Sequence, residues 1–182
     1  MPRENILALL RGGDRRSIGR SAQVVVMVSK DPKLFPNLVG GLWSEDPLVR
    51  MRAADATEKV TRKHPDLLQP HKNALLGLMA EVNEQELRWH LAAMVPRLAL
   101  NVKERQRAVS LLTSYLDDRS SIVKTFALQA LADFAAQDHN IRPSVMETLR
   151  QAMRNGTPAM KARSRKLLLR LDRDSPSANE SL

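Results

Sequence analysis

The stretch SEDPLVRMRAADA, residues 44–56, decides the fold. An acid and Pro47 stand just ahead of a valine, two arginines and a run of small residues. From Val49, small or apolar residues follow at offsets of 4, 7, 8 and 11, the spacing of one buried stripe on an α-helix. Proline at a first helical position loses no hydrogen bond, because that N–H has no partner within the helix. The stretch therefore predicts a turn followed by an amphipathic helix.

The same stripe recurs along the chain. Its five starts are separated by 32, 38, 36 and 37 residues, and they are Ser17, Val49, Leu87, Val123 and Met160. A further apolar segment precedes each start. The junctions carry Asp, Ser, Asn or Thr, whose side chains can accept hydrogen bonds from the first N–H groups of a helix. Two helical segments in each period indicate a repeat protein made of helix pairs.

We expect five antiparallel helix pairs, because a single amphipathic pair cannot cover its own apolar face. Their predicted bounds are 2–30, 31–64, 65–100, 101–138 and 139–171. Stacking the pairs gives one continuous core, so the predicted fold is an all-α solenoid that forms a single domain over residues 1–171. The last stretch, 172–182, lacks periodicity and is rich in Ser, Asp and Asn, which predicts a disordered tail.

Composition agrees with an all-α protein, since aromatic residues make up only 3% and good helix formers dominate. The chain has no cysteine, which excludes disulfides and thiol chemistry and fits a cytoplasmic location. The N-terminal segment lacks the pattern of a signal peptide, and no apolar stretch approaches the roughly 20 residues that span a bilayer. We therefore expect neither a signal peptide nor a membrane span.

Two stretches carry an acid in the turn followed by a Val-Arg-like pair: EDPLVRMRAA at 45–54 and DDRSSIVKTFALQALADF at 117–134. This pattern resembles that of HEAT repeats, a family of paired-helix units. GDRRSIGRSAQ at 13–23 is a weaker match, and NEQELRWHLAAM at 83–94 and NGTPAMKARSRK at 155–166 lack the turn Asp. The resemblance covers about residues 1–171. It implies a right-handed α-solenoid that serves as a scaffold or binding surface, with the second helices lining its concave side.

Helical phase selects the residues that should face away from the core. In the second pair these are Met51, Asp55, Glu58 and Arg62. A first ladder of basic residues lies one position after the stripe starts, at Arg50, Arg88, Lys124 and Lys161. In the HEAT family such residues bond turn carboxylates and helix ends, so we expect a structural role for this ladder.

A second ladder lies three residues after the stripe starts. It comprises Arg20, Arg52, His90 and Arg163, with Phe126 at the fourth position, and Lys59, Arg97 and Arg170 stand further along the same edge. These residues are the candidate binding surface, because a positive strip can neutralise spaced phosphates or carboxylates. A solvated helix face is the alternative, and Phe126 and Asp133 interrupt the strip in the fourth pair.

Trp89 lies on the same outward side and is a candidate anchor for a partner or a stacked base, with packing on a neighbouring repeat as the alternative. We expect Trp43, at the end of a first helix, to pack in the interior or between repeats. The basic segment MKARSRKLLLR, residues 160–170, is interpreted as a capping helix, and contact with nucleic acid or a membrane surface is its alternative.

The formal net charge of +9 favours acidic partners. The sequence contains no phosphate loop, dinucleotide fingerprint, nucleophile motif or metal-ligand spacing, so no cofactor, metal or catalytic residue is expected. The leading interpretation is a non-catalytic module that holds a partner protein on its concave face. Acidic proteins are among the candidate partners. The alternative interpretation is a nucleic-acid-binding protein. A third interpretation is an enzyme similar to alkylpurine DNA glycosylases that would use Trp89 and Asp55. The oligomeric state and the partner stay open.

Overall fold

The computed structural model describes residues 5–14 and 17–174. Within these ranges the chain forms nine α-helices and no strand, which confirms the prediction of an all-helical protein. No helix in the same ranges combines the length and the apolar composition that crossing a bilayer requires. The chain divides into two compact units, Met1–Leu100 and Asn101–Leu182.

The first unit is organised around one long helix. Its described helices are α1 (Ser21–Lys30), α2 (Phe35–Gly40), α3 (Pro47–Thr61), α4 (Lys72–Glu81) and α5 (Gln85–Met94). α3 packs against α1, α2 and α5, so it lies at the centre of the unit. The segment Pro65–His71, which precedes α4, is a 3-10 helix, and Pro70 inside it lacks a backbone N–H donor.

The start of α3 follows from its turn sequence. Asp46 accepts a hydrogen bond from the backbone N–H of Leu48 at 2.9 Å, and Pro47 occupies the first turn. The predicted stripe is buried at every position: Val49, Ala53, Ala56, Thr57 and Val60. Residues 44–56 therefore form the turn and helix that their sequence predicts.

The first predicted pair is less regular than the others. Among the described residues its first segment forms only a 3-10 turn, Ala8–Leu10, and Ser17 lies in an exposed loop. Gly12 and Gly19 have φ angles of 72° and 55°, in the left-handed region that favours glycine. Because these angles interrupt a right-handed helix, α1 begins only at Ser21.

The second unit contains four described helices. They are α6 (Val102–Ser114), α7 (Ser121–Gln137), α8 (Arg142–Asn155) and α9 (Pro158–Arg173). α7 packs against α6, α8 and α9 and is the centre of this unit. α9 extends two residues into the segment 172–182 that the sequence predicts to be disordered, and residues 175–182 lie outside the described residues.

Capping residues begin the helices of the second unit. Asn101 and Glu104 form a reciprocal capping box at the start of α6. Ser120 and Thr157 cap α7 and α9 by accepting backbone hydrogen bonds. The α7 stripe is buried throughout, at Val123, Ala127, Ala130, Leu131 and Phe134, and the α9 stripe is buried at Met160, Ser164, Leu167 and Leu171 and half-buried at Leu168. The repeated stripe therefore marks the interior side of these helices.

Candidate functional site

Arg52 is an interior residue that organises the loop before α1. Its side chain sits among backbone carbonyls, and the whole residue is only 1% exposed. Its guanidinium donates to the carbonyls of Leu10 at 2.8 Å, Gly12 at 2.6 Å, Asp14 at 2.9 Å and Ser17 at 3.1 Å. The assignment of Arg52 to a binding surface is therefore corrected, because every one of these donors points to the chain's own backbone.

The loop leaves room for this guanidinium through a glycine. A Cβ atom on Gly19 would lie 2.8 Å from the Cζ atom of Arg52, closer than such atoms can approach. Gly19 also has a positive φ, so any other residue there would be strained. Helical phase does not predict this contact, because phase gives the direction of a side chain around its own helix but not which other segment of the chain packs over it.

Asp55 joins the three helices α1, α3 and α5. Its Oδ2 atom accepts from Ser21 Oγ at 2.7 Å and from Lys59 Nζ at 2.8 Å. The Nε2 atom of His90 lies 3.9 Å from Oδ1. Burial alone would raise the pKa of Asp55, but the side chains of His90, Lys59 and Ser21 outweigh burial and lower that pKa. Asp55 thus remains ionised and links the helices electrostatically.

His90 is buried, with 2% of the residue exposed. Its Nδ1 atom lies 2.5 Å from the carbonyl oxygen of Glu86, so Nδ1 carries the proton of this hydrogen bond. The Nε2 atom is buried and makes no hydrogen bond. The predicted surface role of His90 is therefore corrected as well, since neither ring nitrogen is accessible to a ligand.

Arg97 and Glu58 form a second contact, which connects α3 to the segment directly after α5. Arg97 Nη2 contacts Glu58 Oε1 at 2.5 Å, and Arg97 Nη1 donates to the carbonyl of Glu58 and to Thr61 Oγ1, each at 2.8 Å. Arg62 contacts the other carboxylate oxygen at 2.7 Å. Burial would raise the pKa of Glu58, but the hydrogen bonds and charges of Arg62 and Arg97 lower it. Glu58 is buried rather than outward-facing, which corrects its predicted orientation.

The remaining basic candidates divide between partnered and exposed residues. In the second unit, Arg163 donates to Gln129 at 2.8 Å and Arg170 contacts Asp133 at 2.8 Å. Arg20 is exposed, and its Nε atom donates to the side chain of its neighbour Gln23 at 2.9 Å. Within the described residues, therefore, much of the predicted strip serves to connect helices.

Two members of the first basic ladder, Arg50 and Arg88, make contacts of the kind that their position predicts. Arg50 Nη1 donates to the carbonyl of Ser44 at 2.7 Å, and its Nη2 atom contacts Glu84 at 2.6 Å. Arg88 Nε donates to the carbonyl of Val82 at 2.8 Å. In both cases the acceptor carbonyl lies six residues before the arginine. The two repeats therefore use the same contact to fix the turn before the second helix.

Trp89 keeps the partial exposure that helical phase predicts. It is half-buried on α5, and its ring stacks on the imidazole of His90 with centroids 3.4 Å apart. Met51, at the corresponding position of α3, is also half-buried. Trp43 is 46% exposed, which corrects the expectation that it packs in the interior. Trp89 and Met51 thus present apolar surface on two adjacent second helices.

The sequence interpretation missed an apolar surface in the second unit. Ile122 is 53% exposed, and with Thr125, Phe126 and Ala159 it lines a cavity of about 130 Å³. The helical phase that places Met51 and Trp89 outward would also place Thr125 and Ala132 outward, but both are buried. The exposed side of α7 instead passes through Ile122 and Phe126. The sequence does contain a hint of this surface. Ile122 stands directly before Val123, where the buried stripe begins, and isoleucine is more often buried than exposed.

Within residues 5–14 and 17–174, no three His, Asp or Glu side chains are grouped so that they could hold a metal ion. The arrangement of the described residues therefore consists of inter-helix ties and partly exposed apolar faces. Comparisons of the chain with family models, with curated proteins and with solved structures find no match.

Proposed function

We propose that the chain is a HEAT-like, non-catalytic binding module that engages a partner protein through the exposed faces of its second helices. The observation that carries the proposal is the pairing of Met51 with Trp89. These two half-buried apolar side chains occupy corresponding positions on α3 and α5, which pack side by side. A repeated position that is apolar yet accessible is typical of a recognition surface.

The solenoid arrangement is supported by contacts that repeat with the period of the sequence. Ser21 bonds Asp55, and Gln129 bonds Arg163, each pair being separated by 34 residues. Arg50 and Glu84 are separated by the same interval. Such contacts join one second helix to the next within a unit, as successive units of a HEAT-like solenoid would require.

A protein partner fits the mixed character of this face in the first unit. Val26 on α1 is 52% exposed, and Met51 on α3 and Trp89 on α5 are half-buried apolar residues. Asp55 and Lys59 lie partly exposed beside these residues. Tryptophan and methionine are enriched at protein interfaces, where a few such side chains supply most of the binding energy.

The test is the capture of protein partners by a double variant, Met51→Ala with Trp89→Ala, compared with the wild type. We expect the captured partner to fall by about tenfold or more, because the loss of a central aromatic anchor removes at least about 1.4 kcal/mol. Trp43→Ala is the control, since it removes a more exposed tryptophan that does not lie on a second helix. Capture that decreases equally in the control, or in neither protein, would contradict the proposal.

A further inference from the structure

α7 and α9 run side by side in the same direction. Three contacts in the same order along both helices establish this: Ser121 with Thr157 at 2.7 Å, Gln129 with Arg163 at 2.8 Å, and Asp133 with Arg170 at 2.8 Å. Both helices belong to the second unit. They therefore form one shared surface, which we call the α7–α9 face.

The N-terminal half of the α7–α9 face is apolar. Ile122 and Phe126, one turn apart on α7, face Ala159 on α9 across the cavity of about 130 Å³. Ile122 is 53% exposed and Phe126 is half-buried. This half offers a recess of the size of a few methylene groups, and burial of an apolar side chain there would release about 25 cal/mol per Å² of covered surface.

The C-terminal half of the same face is basic. α9 carries six basic residues and one acidic residue, Asp172. Lys166, on the same side of α9 as Ala159 and Arg163, is exposed, and its side chain makes no hydrogen bond or ion pair with the described residues. Arg163 lies one turn after Ala159, between the recess and Lys166. Asp133, the nearby acid of α7, is engaged by Arg170. The free charge of this half is therefore positive.

The distance between the two halves fits a helical ligand. Seven residues separate Ala159 from Lys166, which is about 10 Å along α9 at 1.5 Å per residue. A second helix lying along this face presents residues i and i+7 on one side at the same spacing. An apolar residue at i would reach the recess while an acidic residue at i+7 meets Lys166.

We propose that the α7–α9 face binds an amphipathic helix of a partner protein, with an apolar anchor in the recess and carboxylates against Arg163 and Lys166. This inference rests on the proposed function and specifies the chemistry of the partner. Helix-in-groove binding uses anchors spaced by i, i+3, i+4 and i+7, which matches the order of apolar and basic residues along the face.

Other anionic partners fit the face less well. The backbone of duplex DNA offers phosphates to Lys166 but no apolar group to Ile122. An anionic bilayer binds helices whose apolar side projects outward, whereas the apolar residues here line a recess between two helices. Charge complementarity together with the recess therefore favours a helix that is both acidic and apolar.

The experiment measures fluorescence anisotropy of labelled synthetic peptides of about 16 residues with the full chain. The panel places Leu, Ile or Phe at position i and Glu at i+7, i+8 and i+11 of a helix-forming sequence. We expect saturable binding that falls about tenfold or more in Ile122→Ser and in Lys166→Glu. Val102→Ser and Lys103→Glu are the matched controls, because both residues are exposed on α6, and they should bind like the wild type.

Several outcomes would overturn the inference. One is the absence of binding by every peptide of the panel, and another is equal binding of a scrambled peptide with the same composition. Binding of random duplex DNA or of phosphatidylserine vesicles that depends on Lys166 but not on Ile122 would assign the face to a polyanion instead. Circular dichroism and thermal unfolding confirm that each variant is folded. If no peptide binds but the Met51 and Trp89 double variant still loses its captured partner, the proposed chemistry of the partner is wrong, and the proposed function as a binding module stands.

Discussion

At the scale of the single residue, a buried guanidinium holds the loop before α1. Arg52 satisfies carbonyls from four residues of that loop, and its planar group of five N–H donors suits this arrangement. Without the arginine, the buried carbonyl of Leu10 would lose its partner, and the carbonyls of the loop would lose the group that holds them together, which is destabilising. Arg52 thus contributes to the fold of the first unit, and its charge is not available to a ligand.

Replacing Arg52 tests this role. We expect Arg52→Ala to lower the free energy of unfolding by about 2–4 kcal/mol, because a buried side chain is removed and four carbonyls, one of them buried, lose their donor at once. Arg52→Lys should recover little, since an ammonium group cannot reach all four carbonyls. Arg20→Ala is the control and should stay within about 0.5 kcal/mol of the wild type, because Arg20 is exposed. Urea unfolding measures all three, and wild-type stability of Arg52→Ala would show that the loop does not depend on the guanidinium.

The residue scale also shows what sequence reasoning could not supply. Helical phase correctly predicts that Trp89 is partly exposed, because its neighbours on the same helix determine that angle. It fails for Arg52 and His90, whose burial depends on a loop and on an adjacent helix. Charge pattern alone does not distinguish a cation that bonds its own chain from one that is free.

At the scale of the helix, buried carboxylates join neighbouring elements. Asp55 connects α3 to α1 and lies against His90 of α5, and Glu58 connects α3 to Arg97. Removing one partner of such a tie leaves an unpaired buried charge, which destabilises more than the pair itself stabilises. The ties therefore fix the relative position of the second helices in the first unit.

The lowered pKa of Glu58 predicts a pH dependence. A carboxyl whose folded pKa lies below its ordinary value of 4.5 stabilises the fold above that value, and the contribution is lost as the pH falls through the folded pKa. We therefore expect the free energy of unfolding to decrease as the pH is lowered from about 5 toward about 3. In Glu58→Gln, stability at neutral pH should be lower and this acid-induced decrease smaller.

Urea unfolding at a series of pH values measures the effect. Glu81→Gln is the control, because Glu81 is an exposed carboxyl and should leave the wild-type pH profile unchanged. An identical pH profile for Glu58→Gln and the wild type would mean that the contact between Glu58 and Arg97 does not contribute to stability.

At the scale of the whole molecule, the periodic stripe predicts most of the helices. The offsets that begin at Val49, Val123 and Met160 mark buried sides of α3, α7 and α9, because a helix in a small domain must bury its apolar side. The first repeat departs from the pattern where Gly12 and Gly19 interrupt the helix. The α7–α9 recess was not predicted, since it depends on two helices that are distant in sequence.

The central claim is that the exposed faces of the second helices bind a partner protein. Site-specific photocrosslinking in cells tests it most directly, with p-benzoylphenylalanine introduced singly at Trp89, at Ile122 and, as the reference, at the exposed Val102 of α6. We expect protein adducts at Trp89 and Ile122 and few or none at Val102. Adducts that are equally abundant at all three positions, or absent from Trp89 and Ile122, would contradict it.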